Sequence, residues 1–310
     1  MEVAKKRVGI LRGGKGKNYT TSLKRGGDLI SNISENLEEK YKIVDILIDK
    51  DEIWHINGLP TQPVDLMHRV DIVWNTAGPG VSVLLENFSI PNIGHGAFYS
   101  SMEESRDLLK EQMNRIGVHI PRSIVLPFYQ KDFDGPREKY ATKKAKEVFE
   151  KFSSPWIVKS FTPDSNMGIH LAKTFPELVY AIEDGVLHEK SILVEEFILG
   201  KIASFHSVPK FRGEPIYIFP LSVSSGNTFG NFSSIEKEKL TALAKYLHQH
   251  IGAKHYLKID FTLTPHGKVY LIGLDSTPDL RLDSHFSQVC ESVGAKPHHI
   301  IEHILEQNFE

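Results

Sequence analysis

The chain has 310 residues, 40% of them hydrophobic, with Lys+Arg 37 against Asp+Glu 39 and a formal net charge of -2. That length can bury a substantial core in two or three domains, and the near-neutral balance speaks against a general nucleic-acid binder, which needs a basic face. A lone cysteine, Cys290, excludes an intrachain disulfide and suits a reducing cytosol; no apolar run of about 18 residues occurs, so neither a membrane span nor a signal peptide is expected.

Arg7 to Leu11 reads as a first strand, followed by the glycine loop Arg12-Gly13-Gly14-Lys15-Gly16-Lys17. A helix is expected from Thr20 to about Glu39, with Leu23, Ile30, Ile33 and Leu37 near one face. Gly26 and Gly27 should each cost it about 1 kcal/mol against Ala. Ile43–Ile48 and Asp71–Asn75 are the next strands, the latter ending in the small-residue loop Thr76–Gly80. This alternation predicts a parallel, helix-covered sheet up to about residue 95. Met102–Ile116 is expected to be a helix capped by Ser100 and Glu103 and ended by Gly117 and Pro121. Ser123–Leu126 is a short strand, Tyr129–Tyr140 a loop and Ala141–Phe152 a helix. Trp156–Lys159 is a strand running into the small polar loop Ser160–Gly168, and Thr174–Leu187 is a helix with an early proline. Ser191–Phe197, Ser204–Val208 and Ile216–Leu221 read as strands, and Ser222–Phe232 as a loop. Ser233 with Glu236 caps a helix striped by Leu240, Leu243, Ala244, Leu247 and Ile251.

A hairpin follows. Lys258–Leu263 alternates polar and apolar, Val269–Ile272 is β-branched and aromatic, and Thr264-Pro265-His266-Gly267 supplies the turn. Asp260 lies in its first strand and Asp275 just past its second, so pairing should bring both carboxylates near each other on one face. Such a pair can hold a hard cation such as Mg²⁺; the plainer reading is an exposed strand aspartate and a turn aspartate. Two short helices complete the chain.

The glycine loop after the first strand is phosphate-like but lacks the Walker spacing, so a turn or a substrate-side loop is the plainer reading. Lys159, with the backbone of Ser165-Asn166-Met167-Gly168, could cradle phosphates, and Lys110 lies on a helix; taken singly, each lysine is more simply a solvated charge. Glu195-Glu196-Phe197-Ile198 at a strand end could pair with a purine edge and pack its face; alone it is an ordinary strand with two outward acids. The histidines show no HExxH spacing, His299 and His303 read as surface residues, and Cys290 reads as packing.

The order of these features resembles the ATP-grasp superfamily and, within it, the D-alanine–D-alanine ligases, over nearly the whole chain. The carriers are Val8–Gly14, Asp71–Asn75, Ile90-Pro91-Asn92-Ile93-Gly94, Lys110, Trp156–Lys159 with Ser165–Gly168, Ile192–Ile198, Lys258-Ile259-Asp260 and Leu271–Leu280 with Ser284. The resemblance implies an α/β and α+β ATP-grasp fold whose N-terminal part is a parallel α/β domain. It implies an N-terminal domain over 1–97, a central subdomain over 98–190 and a C-terminal, metal-bearing subdomain over 191–310.

It further implies an ATP-dependent carboxylate–amine ligase working through an acyl phosphate on a small amino-acid-like substrate, in the cytoplasm, as a homodimer. ATP and Mg²⁺ are the implied cofactors. Lys110, Lys159, Ser165, Asn166, Gly168, Glu195, Glu196, Phe197 and Ile198 would bind the nucleotide. Asp260 and Asp275 would hold the metal, and Lys258, Ser165 and Ser284 would serve catalysis. Against the family pattern, Gly273 stands for the metal-bridging Glu, Asp275 for an Asn ligand, Lys258 for an Arg and Asp279 for a Gly. Asn18 stands for a substrate-facing Glu, Ala77 for a loop His and Ile202 for a ribose-contacting Glu. These departures also admit an impaired relative that binds nucleotide or a partner without turnover.

Overall fold

A computed structural model describes residues 4–14, 19–94, 106–129, 133, 135–161, 167–188, 191–221 and 231–309. Three sheets carry the described chain. The first has six strands, in the order β4-β3-β2-β1-β5-β6, with β1 Lys6–Gly13, β2 Tyr41–Ile48, β3 Trp54–Ile56, β4 Leu59–Thr61, β5 Ile72–Asn75 and β6 Asn92–Ile93. β2, β1, β5 and β6 run parallel, as the alternation of strands and helices predicts. The centre of β1, Val8 to Leu11, is an uncharged buried run because both its faces are covered. Val8 and Ile10 pack with Leu29 and Ile33 of the helix Tyr19–Asn36, whereas Leu11 packs on the other side with Val44, Ile46 and Val73. β3 and β4 form an antiparallel hairpin on the sheet edge, and a helix at Pro79–Asn87 follows the small-residue loop.

The second sheet, β7-β10-β8-β9, is antiparallel, with β7 Ser123–Leu126, β8 Trp156–Ser160, β9 His170–Ala172 and β10 Ile192–Glu196. Helices Arg137–Lys151 and Phe175–Leu187 cover it around Tyr140, Trp156, Val158 and Ile182. Thr174 and Glu177 close a capping box, and proline stands in the first turn, as the sequence predicts. β10, expected in the C-terminal part, pairs with β7 and β8, because Ile192 and Val194 fill the central core. Conversely, Met113 and Val118, at and after the helix Arg106–Arg115, pack in the core of the third sheet. The Ser100–Glu103 cap lies outside the described residues.

The third sheet is β12-β11-β13-β14, with β11 Lys201–Pro209, β12 Ile216–Ile218, β13 Leu257–Leu263 and β14 Val269–Asp275. The expected hairpin is β13–β14; Gly267 closes its turn with φ +77° and donates to the Thr264 carbonyl. Helix Ser234–Ile251 begins at a Ser233–Glu236 capping box and ends at Gly252 with φ 68°. Its Leu240, Ala244 and Leu247 meet Phe205, Ile259 and Phe261.

His248, on that helix, is fully buried and donates through Nδ1 to Ser207 Oγ at 2.7 Å, since Ser207 gives its own proton to the Leu257 carbonyl. Its Nε2 has no hydrogen-bond partner among the described residues. Burial lowers its pKa from 6.5 to about 4. The unfolded chain therefore binds one more proton between those values. Stability held above pH 6.5 is lost as the pH falls toward 4, by about 3 kcal/mol at roughly 1.4 kcal/mol per unit. Urea unfolding at neutral pH and near pH 4 should show this loss, and His248→Leu should reduce it; an equal loss in both proteins would rule His248 out as its source.

Candidate functional site

Between the second and third sheets lies a cleft of about 640 Å³. Strand periodicity explains its walls. In β8, Trp156 and Val158 face the core, so Ile157 and Lys159 face the cleft. In β10, Leu193 pairs with Lys159 and Glu195 with Ile157, which aims Leu193 and Glu195 at the same space. Glu196, Phe197 and Ile198 continue this wall; Leu109, Ile120 and Pro121 close one side, and Ile202, Thr262 and Leu271–Leu274 form the floor.

Lys159 Nζ lies 2.6 Å from Glu195 Oε2, and the Glu195 side chain is only 13% exposed. Glu196 accepts from Arg122 Nε and Nη2, both at 2.9 Å, which holds its carboxyl below the usual range. The Glu196 N–H goes to the Arg122 carbonyl and the Phe197 N–H to the Pro155 carbonyl. A flat ligand here therefore meets the Phe197 and Ile198 side chains and not those two donors. Lys110 is exposed beside Leu109, which lines the cleft from the same helix. Gly168 is exposed after β8, and Ser165 and Asn166 lie outside the described residues.

The floor continues away from Ile202 and Thr262 in rows fixed by register. Ile202 pairs with Thr262, Ser204 with Asp260, and His206 with Lys258. Across the hairpin, Asp260 faces Gly273 and Lys258 faces Asp275, with a register shift between Asp260 and Phe261. Asp260 and Asp275 thus share a face, as expected, but one row apart.

Each carboxylate is already paired. Asp260 Oδ1 accepts from Ser204 Oγ at 2.6 Å and Oδ2 from Lys258 Nζ at 2.9 Å. Asp275 accepts from both Arg25 terminal nitrogens, at 3.2 and 2.6 Å, and from the Thr277 N–H at 2.9 Å. Burial works against the Arg25 charge, and the Asp275 carboxylate outweighs it. Asp279 accepts from Arg281 through Nε and Nη2, which pulls its carboxyl down and offsets its charge.

The expected catalytic Ser284 is buried at the start of the helix His285–Ser292. Its Oγ donates to the Asp279 carbonyl at 2.7 Å and accepts from the Ser287 N–H at 3.1 Å, so its oxygen caps the helix and its proton is held by Asp279. Sequence reasoning missed three other groups. Arg25 lies 250 positions from its partner and carries no motif. Buried His206 meets the Tyr256 hydroxyl at 2.6 Å through Nδ1 and His285 Nδ1 at 2.7 Å through Nε2. Burial keeps His206 well below its ordinary pKa and Tyr256 well above. Only the alternation of β11 could have flagged Ser204 and His206, and it gives no partner. His303, expected at the surface, is partly buried with Nε2 2.9 Å from the Pro209 carbonyl. Cys290 is buried packing, as expected.

The implied Mg²⁺ needs converging oxygen ligands. Among the described residues no group of three or more His, Cys, Asp or Glu converges. Both expected carboxylates carry a basic partner, and Gly273 supplies no third side chain. These residues do not fit a protein-held divalent cation.

The chain resembles known proteins along most of its length. A family model described as "D-ala D-ala ligase C-terminus" matches residues 228–306. A D-alanine–D-alanine ligase of Geotalea uraniireducens is 22% identical, over 98% of this chain and 96% of that protein. Another from Glaesserella parasuis is 24% identical, over 72% and 73%. Among solved structures, D-alanyl-alanine synthetase A from Vibrio cholerae superposes with TM-score 0.73 at 19% identity, covering 99% of both chains. VanG D-Ala:D-Ser ligase from Enterococcus faecalis gives 0.71 at 16%, covering 98% and 100%.

Proposed function

We propose that this chain, a D-alanine–D-alanine ligase-like protein with the ATP-grasp fold, is an ATP-dependent carboxylate–amine ligase acting on a small amino-acid-like substrate. One observation carries the reading: a single cleft is lined jointly by Lys159, Glu195 to Ile198 and the Gly273 end of the hairpin. A relative of this fold from Bacillus anthracis, at TM-score 0.67 and 16% identity, was solved complexed with ATP. In this reading the purine packs against Phe197 and Ile198, and the phosphates run along the floor past Lys159. The terminal phosphoryl passes from ATP to a substrate carboxylate oxygen, giving ADP and an acyl phosphate. An amine then attacks the acyl carbon; the C–N bond forms, the C–O bond to phosphate breaks, and the nitrogen sheds a proton. Lys258, oriented by Asp260, faces the oxygens on which charge gathers.

Phosphate release with ATP, Mg²⁺ and D-alanine, then with other amino acids, tests this directly. Release in step with a new amide product is the expected result. A second reading, nucleotide binding without turnover, is favoured by Gly273 and by the ion pairs on Asp260 and Asp275. It expects calorimetric binding of an ATP analogue with no phosphate release from any substrate. Failure of the analogue to bind would sink both.

A further inference from the structure

We infer that Arg25 and Lys258 take the position a divalent cation would hold at the inner end of the cleft, so that this chain grips the phosphates of its ligand with fixed protein cations, independently of Mg²⁺. The inference rests on the nucleotide reading of the cleft and deepens it. It begins with the rows of the third sheet. The floor at Ile202–Thr262 is followed by Ser204–Asp260–Gly273 and then by His206–Lys258–Asp275. Two residues of strand advance about 6.6 Å, so the last row lies about 13 Å from the first, within the reach of a nucleotide's phosphate chain.

All four oxygens of Asp260 and Asp275 already accept hydrogen bonds, from Ser204, Lys258, Arg25 and the Thr277 backbone. A magnesium ion demands near-octahedral oxygen ligation, and here it would have to share both carboxylates with cations already paired to them. Gly273, across the hairpin from Asp260, adds no side-chain ligand. A Cβ built on Gly273 would stand 3.0 Å from Asp260 Oδ2. The carboxylates therefore act as orienting groups for the cations.

Arg25 is suited to this work. Two of its five N–H donors engage Asp275, and its side chain stays 32% exposed. A planar guanidinium matches phosphate oxygens bidentately and stays charged at any working pH. Lys258 commits one of three donors to Asp260 and is 34% exposed. The helix Tyr19–Asn36 delivers Arg25 from the first sheet, so the phosphate end is completed by a different layer from the one that holds the purine end.

Two measurements test the inference. In the first, a non-hydrolysable ATP analogue is titrated by calorimetry in Mg²⁺ and again in EDTA. The wild type should bind with affinities within about threefold of each other, and Arg25→Met should weaken binding about tenfold in both buffers. Arg25→Lys, which keeps the charge, should retain metal independence and serves if the Met variant does not fold. A drop of more than about tenfold for the wild type in EDTA would overturn the inference and leave the nucleotide reading intact. In the second, Mn²⁺ is titrated against the protein alone and followed by electron paramagnetic resonance. An undiminished free-ion signal is expected, and stoichiometric loss of signal overturns the inference. If the analogue binds in neither buffer, the nucleotide reading fails and the Mn²⁺ result alone decides whether these carboxylates take a metal.

Discussion

Lys159→Met should weaken binding of an ATP analogue about a hundredfold, with the fold retained. The residue emerges from β8 on the cleft face, opposite Leu193, and its ammonium lies 2.6 Å from Glu195. The variant removes a cation from the phosphate path and takes an ammonium away from a poorly exposed carboxylate. The double variant Lys159→Met/Glu195→Gln separates the two effects, because it also removes the Glu195 charge. It should recover about a tenfold of the loss. Calorimetry on the wild type and both variants makes the comparison; equal affinities for wild type and Lys159→Met would mean that phosphates do not pass this lysine.

The largest effect on stability is expected at Gly13. It ends β1 with φ +88°, and a Cβ there would lie 2.1 Å from the Ile48 carbonyl oxygen, an atom of the paired strand. Its N–H also donates to Ser22 Oγ at 2.9 Å, tying the strand to the first helix. Gly13→Ala therefore combines left-handed strain of about 1–2 kcal/mol with a backbone collision, and a loss of about 3 kcal/mol or more is expected in urea unfolding. Gly27 supplies the contrast. Nothing stands within 4 Å of its Cβ position. Gly27→Ala should stabilise the helix by about 1 kcal/mol. Gly26, beside it, cannot follow, since its Cβ would meet Arg12 Cβ at 2.7 Å. A neutral Gly13→Ala melt would show that β1 and β2 part more easily than their register implies.

Much of this architecture is legible in the residues. The early proline of the helix Phe175–Leu187, the capping pair at Ser233 and the alternating hairpin all report local preferences that tertiary packing reinforces; Lys15 to Lys17 of the glycine loop lie outside the described residues. The cleft wall from Glu195 to Ile198 is legible for the same reason, because strand periodicity fixes which side chains share a face. What escapes is whatever depends on distant partners. β3 and β4 are three residues each, too short for period-two patterning to register. The sheet to which β10 belongs depends on pairing with β7 and β8, which no local signal encodes. Asp260 and Asp275 can be seen as acids on a hairpin, but not as acids already bound to Ser204, Lys258 and Arg25. Gly273 can be seen as a position without a side chain; only the sheet shows how close its Cβ would come to Asp260.

Val8, Ile10 and Leu29 share one core with Phe286, Val289, Ile300 and Ile304. On the ribosome, the early strands therefore emerge long before the residues that cover them, and they must be shielded until the last helices arrive. The layer around Trp156 needs only sequence neighbours between Leu126 and Val194 and can finish while the rest is still being made. Folding of this polypeptide can thus proceed from the middle outward, with its earliest residues among the last to find shelter.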